Sequence, residues 1–284
     1  MIINPGLRRR IGGGRSFILT QLAGLGYAAA GAWSVSRGMR QAYVGALLRV
    51  RRSSDNAEQD IGFRSDGALD SAALLAFCAG GNGFASKVYD QSGGGYDMVQ
   101  ATAGSQPRIV SSGTLDTMGV AARPTMNFTG ATKKLENAAY AHGSAAALNI
   151  VAVADGSGYA GVAGNPTANN GRTRVLGRGT AIMGASTPEI GTVTASGTMI
   201  VTASASGAGT ATIKHRLNGA ETASSTTTRG APSAGIALGA GVYGNAGDFV
   251  GKLSEVVVWQ SVPTDAALLL LERDQGLFYG ITTA

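Results

Sequence analysis

Short apolar runs separated by glycine, asparagine and serine dominate the chain from Arg108 to Trp259. Runs of this kind, with turn residues between them, are typical of the strands of a β-sandwich. Asn218-Gly219 separates two of the runs, and Asn-Gly is the strongest short signal for a tight hairpin turn. The pattern therefore predicts an all-β sandwich. The predicted strands are Arg123–Phe128, Ala147–Ala154, Thr173–Leu176, Thr198–Ala205, Thr210–Leu217, Gly235–Leu238 and Phe249–Trp259.

Two short helices accompany these strands. Asp70–Cys78 begins with a residue suited to the N-cap and continues with leucines and a phenylalanine that give one apolar face. After the apolar run Ser254–Trp259, which we expect in the core, Pro263 opens a second helix with Gly276 as its expected stop.

The region before the first helix is less regular. Ala28–Tyr43 is predicted as a short helix or turn, and Ala46–Val50 as a strand. By two-residue alternation, Arg49 and Arg51 lie on one face of that strand. We expect them to pair with nearby carboxylates and order the following loop, with a polar ligand site as the alternative. These carboxylates are Asp55, Glu58 and Asp60.

Composition fits one large all-β domain, although two small ones remain open. Of 284 residues, 44% are hydrophobic and only 14% are charged, well below the usual quarter. Glycine contributes 44 residues. Low charge with many small residues indicates tight packing and extensive contact surfaces, and we expect a homo-oligomer.

The net charge of +6 is unevenly distributed. Nine of the 23 basic residues precede Asp55 and no acidic residue lies among them, so the remaining 14 basic and 17 acidic residues give −3. Such an arginine cluster binds nucleic acid, a membrane surface or an acidic protein. Without interleaved aromatic residues, a partner protein is favoured and nucleic acid is not expected. The expected anchor residues are Arg8, Arg9, Arg10 and Arg15.

These observations divide the chain into a basic N-terminal arm, 1–28, and a sandwich domain, 29–284. The apolar run Phe17–Trp33 follows the arginines as in a secretory signal, but Gln21 and three glycines interrupt it. It is also short for a membrane span. We therefore expect neither a cleaved signal nor a membrane-spanning segment.

Cofactor and metal chemistry has little support in the sequence. The two histidines, His142 and His215, are far apart, and no zinc-binding motif is present. The lone Cys78 is expected to be a buried small hydrophobe. Asp90 and Asp97 offer oxygens for Ca²⁺, but the EF-hand spacing is missing. We expect no metal and no cofactor.

Three segments carry a family resemblance. Leu47–Asn56, Ala76–Gly80 and the sequence YDQSG at Tyr89–Gly93 resemble the start of the catalytic domain of glycoside hydrolase family 54 α-L-arabinofuranosidases. That resemblance implies a concanavalin-like (jelly-roll) sandwich of the laminin-G type over roughly Ala29 to Ile281. Arg49–Phe63, continued through Gln106–Val110, is more similar to bacteriophage structural proteins built on the same sandwich.

The resemblance also implies where catalytic carboxylates would lie. The family uses a glutamate nucleophile on a mid-sandwich strand and an aspartate acid/base in a glycine-rich loop before the last strand. The corresponding stretches, Arg172–Ser186 and Leu238–Gly247, contain no carboxylate, and only Asp248 could replace the acid/base. We therefore expect no catalytic residues and no enzymatic activity.

The predicted function is a non-catalytic phage virion protein, a head-decoration, fibre or tail component, located in the virion. The arm would dock it to other virion proteins. The alternatives are a carbohydrate-binding module for host-surface glycans or an arabinofuranosidase-like glycoside hydrolase. The candidate ligand-binding residues are Asp90, Gln91, Tyr96, Asp97 and Tyr243.

Overall fold

Antiparallel strands form most of the regular secondary structure of the computed structural model, with three α-helices among the residues it describes. The described residues are 17–130, 132–143, 145–154, 159–163, 173–176, 181–183, 189–190, 197–207, 209–229, 234–239 and 249–284. The predicted anchor arginines, Arg8, Arg9, Arg10 and Arg15, lie outside them.

The strands and helices alternate unevenly along the described chain. The strands are β1 (Gly31–Ser34), β2 (Leu48–Arg52), β3 (Glu58–Ile61), β4 (Gly83–Val88), β5 (Met98–Val99), β6 (Arg108–Ser111), β7 (Thr114–Leu115), β8 (Thr117–Met118), β9 (Arg123–Pro124), β10 (Met126–Asn127), β11 (Leu135–Asn137), β12 (Ala146–Ala154), β13 (Tyr159–Ala163), β14 (Thr173–Leu176), β15 (Ala181–Met183), β16 (Glu189–Ile190), β17 (Thr198–Ala205), β18 (Gly209–Leu217), β19 (Ala220–Arg229), β20 (Ile236–Leu238) and β21 (Gly251–Trp259). The helices are α1 (Ile18–Gly24), α2 (Ser71–Cys78) and α3 (Asp265–Tyr279).

Two layers of strands build the sandwich. In the first layer β12 pairs with β17 and β21; β18 and β19 extend it on one side, and β10, β6 and β4 on the other. The second layer runs from β5 through β11, β20, β13, β14 and β15 to β16. Because β4 also pairs with β5, it joins the layers. The predicted all-β sandwich is confirmed.

The main core lies between the layers, and strand β12 shows how the sequence builds it. Leu148, Ile150 and Ala152 belong to the main hydrophobic cluster, whereas the alternate residues Ala147 and Val151 pack in separate clusters with the helices. Successive side chains of a strand point to opposite faces. Both faces of β12 are therefore buried, which explains its nearly continuous apolar sequence.

Helices α1 and α3 form a third layer on the outer face of the first sheet. Ile18, Leu19 and Leu22 of α1 pack with Leu268 and Leu271 of α3 in one hydrophobic cluster. Part of the predicted arm is therefore packed into the domain. None of the described helices is long and apolar enough to cross a membrane.

The prediction of a helix or turn over Ala28–Tyr43 is wrong at its centre. Gly31–Ser34 is β1, and it pairs antiparallel with β21 from Gly31↔Val258 to Ser34↔Glu255. Trp33 is 1% exposed and lies in the core. Pairing with a buried strand more than 200 residues away decides this conformation, and local sequence does not carry that information.

Helix α3 continues past its predicted stop. It runs through Gly276 to Tyr279 and ends at Gly280, which has φ 72°. A Cβ on Gly276 would lie 2.6 Å from Cγ2 of Thr283, and the Gly276 carbonyl accepts the Ile281 N–H at 2.8 Å. Gly276 therefore allows the returning chain to approach the helix, whereas Gly280 supplies the left-handed C-cap.

The predicted N-cap of α2 and the predicted hairpin turn are both confirmed. Asp70 Oδ1 accepts the Ala73 N–H at 3.0 Å and caps α2. Asn218 (φ 48°) and Gly219 (φ 89°) connect β18 to β19 as the predicted hairpin turn. Both positive φ values match the turn that Asn-Gly favours.

Of the two arginines expected to pair with carboxylates, Arg49 does so and Arg51 does not. Arg49 donates two hydrogen bonds to Asp60, at 2.7 and 3.0 Å. Arg52 similarly binds Asp55 at 2.8 and 2.6 Å. Arg51 instead donates to neutral acceptors.

A buried ionic network joins α3 to the outer face of the sheet, and Glu255 is at one end of it. Glu255 is 0% exposed and accepts two hydrogen bonds from Arg37, at 3.0 and 3.1 Å. Arg37 also lies 2.6 Å from Asp274, and Gln275 donates to Glu255 at 2.9 Å. Burial alone would lower the pKa of Arg37, but Glu255 and Asp274 outweigh it and raise that pKa.

The same network continues to Glu272 on α3. Gln275 donates to Asn149 at 2.6 Å, Asn149 to Thr202 at 2.9 Å, and Thr202 to Glu272 at 2.7 Å. Arg216 binds Glu272 through Nε and Nη2, with a shortest distance of 2.8 Å. Each charge in the network is therefore compensated by a partner and by further hydrogen bonds, as burial requires.

We predict that Glu272→Ala loses roughly 3–5 kcal/mol of unfolding free energy, because it leaves the Arg216 guanidinium buried without its main partner. The measurement is urea denaturation monitored by circular dichroism. Asp60→Ala is the matched control, since its ion pair with Arg49 is about 40% exposed on both sides and should contribute at most about 1 kcal/mol. Equal losses in the two variants would contradict a stabilising role for the network.

Candidate functional site

The predicted ligand-binding residues cluster in the turn after β4, with Asp90 at its centre. Asp90 Oδ1 accepts the N–H groups of Ala32 at 2.9 Å and Ser92 at 2.8 Å. Its Oδ2 accepts the Ser92 hydroxyl at 2.8 Å and the Tyr96 N–H at 3.1 Å. The carboxylate is 5% exposed and both oxygens are occupied, so it organises the turn and fixes it to β1.

Gln91 has a comparable internal role. It is 0% exposed. Its Oε1 accepts the Met39 N–H at 2.7 Å, and its Nε2 donates to the carbonyls of Ser34 and Arg37 at 3.3 and 3.2 Å. The side chain therefore satisfies the backbone of the segment after β1, and its amide has little capacity left for a ligand.

Tyr96 and Asp97 are the more accessible members of the predicted set. Tyr96 is half-buried and packs edge-on against Tyr140, with ring centroids 5.2 Å apart. Asp97 Oδ1 accepts the Asp90 N–H at 3.0 Å, and Oδ2 lies 3.5 Å from Lys87 Nζ. The structure thus brings Asp90, Tyr96 and Asp97 together, while Tyr243 lies outside the described residues.

Tyr140 is a buried aromatic residue behind this turn that sequence reasoning missed. It is 0% exposed and packs between Trp33 and Tyr96. Burial, followed by Tyr96 and Asp90, raises the pKa of Tyr140. Because Tyr140 is closed off, the described aromatic cluster supports the turn and does not offer an open sugar-stacking surface.

The described carboxylates offer no metal centre. No group of three or more histidine, cysteine or acidic side chains suited to a metal ion occurs within the described part of the chain. Glu221 is paired with Lys214 at 2.9 Å. Asp155 and Asp248 lie outside the described residues, and Glu189 has its backbone in β16.

The chain ends of β12 and β21 lead to two of these remaining acids. Ala154, the last residue of β12, pairs with Gly251, the first residue of β21. Asp155 follows Ala154 directly in sequence, and Asp248 precedes Gly251 by three positions.

Comparison with known proteins identifies a similar catalytic domain. A family model described as "Alpha-L-arabinofuranosidase B, catalytic" matches residues 23–163. The chain is 92% covered by a solved family 54 α-L-arabinofuranosidase soaked with a cyclic sulfate inhibitor, with TM-score 0.71 and 15% identity. An arabinofuranosidase complexed with arabinofuranosyl-α-1,2-xylobiose covers the same share, with TM-score 0.69 and 16% identity. The chain has the α-L-arabinofuranosidase B catalytic-domain fold.

Curated relatives support this similarity over a shorter stretch. The α-L-arabinofuranosidase of Hypocrea jecorina is 42% identical over 73 residues, which is 26% of this chain and 15% of the relative. α-L-Arabinofuranosidase B of Aspergillus oryzae is 40% identical over 74 residues, with the same coverage. The chain matches about 15% of these relatives' length, and 65% of the length of the two solved chains.

Two functional predictions are corrected by these matches. A phage virion structural role is contradicted, because the matching model and curated relatives are arabinofuranosidases. The expectation that the protein is not an enzyme is wrong for the same reason. The stretches Arg172–Ser186 and Leu238–Gly247 do lack a carboxylate, but this argues against catalysis only if the catalytic acids lie within them, and large parts of both lie outside the described residues.

We predict that Asp90→Ala loses roughly 2–4 kcal/mol of stability, because it leaves buried backbone donors without their charged acceptor. Thermal and urea denaturation measure this. Asp66→Ala is the control: Asp66 also accepts a backbone N–H, from Ala68 at 3.0 Å, but its side chain is 55% exposed. A fully stable Asp90→Ala variant would show that the carboxylate does not organise the turn.

Proposed function

We propose that this chain provides a glycoside hydrolase domain that acts on α-L-arabinofuranosyl residues. The match of residues 23–163 to the arabinofuranosidase B catalytic model carries the proposal. Similarity to solved arabinofuranosidases over 92% of the chain extends the fold to the second half. The substrate assignment comes from these relatives.

Hydrolysis of a glycosidic bond requires two carboxyl groups. Several described acids are poorly suited, because each is already committed to a structural bond. Asp90 binds four donors of its own turn, Asp97 pairs with Lys87, and Glu221 pairs with Lys214. Glu255 and Glu272 lie in the buried network beneath α3. We therefore propose that the catalytic acids are among Asp155, Glu189 and Asp248.

Glu189 and Asp248 best fit the two roles. The resemblance implies a glutamate nucleophile on a strand of the sandwich. Glu189 belongs to β16, the end strand of the second layer, and lies three positions beyond the stretch Arg172–Ser186. The resemblance also implies an aspartate acid/base before the last strand, and Asp248 precedes β21. Asp155, directly after β12, is the competing acid for the second role.

In this mechanism Asp248 donates its proton to the leaving-group oxygen while Glu189 attacks the anomeric carbon. The carbon–oxygen bond to the leaving group breaks, and an arabinosyl ester of Glu189 forms. Asp248, now a carboxylate, takes a proton from a water molecule. The water oxygen bonds to the same carbon as the ester bond to Glu189 breaks, which releases arabinose with net retention and restores the Glu189 carboxylate and the protonated Asp248.

We predict that the chain hydrolyses 4-nitrophenyl α-L-arabinofuranoside, and that Glu189→Gln and Asp248→Asn each reduce kcat about 10²–10⁴-fold, as expected for loss of a catalytic carboxyl group. The released nitrophenol is measured by absorbance. Glu221→Gln is the control, because its side chain is surface-paired and should leave the rate unchanged.

Three outcomes would contradict parts of this proposal. Hydrolysis no faster than in buffer alone would exclude the proposed activity. A fully active Glu189→Gln variant would remove Glu189 as nucleophile. Loss of activity in Asp155→Asn, with Asp248→Asn unaffected, would transfer the acid/base role to Asp155.

A further inference from the structure

Residues that are cross-strand partners form a row over four neighbouring strands on the outer face of the sheet. Arg51 of β2 lies opposite Phe84 of β4, Phe84 opposite Arg108 of β6, and Arg108 opposite Asn127 of β10. Adjacent residues on these strands are buried in the main core. These core residues are Val50, Ala85, Ile109 and Met126. By alternation, the row faces away from the core.

A cleft of about 260 Å³ opens on this row. Its lining combines one aromatic ring with amides, a hydroxyl and two cationic side chains. The lining residues are Asn82, Phe84, Arg108, Asn127, Thr129 and Lys133. The volume lies just below the roughly 300–1,000 Å³ typical of pockets for drug-sized ligands, so the cleft suits a single sugar-sized unit.

One of the two lining cations is already neutralised. Arg108 donates to both oxygens of Asp116, at 2.8 and 3.1 Å, and Asn127 donates to the same carboxylate at 3.3 Å. Asp116 is 9% exposed. Arg108 therefore forms a charge-balanced wall and is not available for a bidentate bond to a ligand anion.

Lys133 and the neighbouring Arg51 carry the excess positive charge. Lys133 Nζ donates to the Gly104 carbonyl at 2.6 Å, and Arg51 donates to the side-chain oxygens of Gln106 and Asn56, both at 2.7 Å. Among the described residues, neither cation has a carboxylate within 4.0 Å. Burial lowers the pKa of Lys133, and the nearby charge of Arg51 lowers it further.

Both of these cations lie near the same aromatic ring. The Arg51 guanidinium carbon is 4.9 Å from the Phe84 ring centroid, and Lys133 Nζ is 5.8 Å from it. Attraction to the ring holds the two like charges close together. An anion bound in the cleft would relieve their repulsion, which gives the site a preference for negative charge.

We propose that this cleft binds a carboxylated sugar residue, a hexuronate unit of an acidic saccharide. The Lys133 ammonium binds the sugar carboxylate as a point charge, and Asn82 and Thr129 offer hydrogen-bonding groups to the sugar hydroxyls. Phe84 supplies the apolar part of the cleft wall. The inference goes beyond the proposed hydrolysis and does not depend on it.

The adjacent lysine provides a matched control. Lys134 Nζ is paired with Glu136 at 2.8 Å, and it does not line the cleft. Its charge is therefore already compensated, whereas the charge of Lys133 is not. Replacing either lysine by glutamine removes one positive charge from the same surface segment, so that general electrostatic effects cancel in the comparison.

The test is isothermal titration of the full chain with galacturonate and digalacturonate, with galactose and inorganic phosphate as comparison probes. We expect uronate binding that weakens with ionic strength. Lys133→Gln should raise the Kd at least about tenfold, the loss of one charge-assisted hydrogen bond. Lys134→Gln should bind as the parent chain does. Thermal melting of both variants checks that the fold is intact.

Several results would overturn the proposal. No heat from either uronate, or equal binding of galactose, would exclude a carboxylate-reading sugar site. Binding of phosphate as tight as that of galacturonate, lost equally in Lys133→Gln, would make the cleft a general anion site. Equal loss in both lysine variants would show that overall charge and not the cleft is responsible.

Arabinoside hydrolysis unchanged in Lys133→Gln would separate this test from that of the proposed activity.

Discussion

The buried ionic network beneath α3 is the constraint on which much of this structure depends. Polar residues occupy strand positions that face a helix, where apolar side chains would pack without desolvation cost. Buried ion pairs of this kind contribute little net stability over hydrophobic replacements, but they are costly to break. We infer that the network fixes which turn of α3 meets which strand. Glu255 and Glu272 each have bonds that a one-turn slip would leave unmade.

Local chemistry made parts of this fold predictable. The N-cap at Asp70 and the Asn218-Gly219 turn each depend on a few adjacent residues, and both were identified from them. Strand β1 and the continuation of α3 through Gly276 cannot be predicted from local sequence, because each depends on a distant segment. Gly31–Ser34 becomes a strand by pairing with β21, and Gly276 is glycine because the chain returns past it.

The candidate sites show the same division. Asp90 stood out beside a glycine-rich turn, but one of its bonds reaches Ala32, 58 residues earlier, and that contact reveals its internal role. The cleft at Phe84 is the opposite case, because nothing in the sequence alone predicts it. Its lining residues come from separate strands and loops, none of them a motif, and only strand register places Arg108 between Phe84 and Asn127.

The single cysteine of the chain sits where α2 meets the sheet. Cys78 is 1% exposed, and a Cβ on Gly83 of β4 would lie 2.7 Å from its sulfur. Burial raises the pKa of this thiol, so little thiolate is present at neutral pH. An alkylating reagent can reach the sulfur only after α2 separates from β4. The rate at which Cys78 is alkylated therefore reports the local opening of α2, without any added probe.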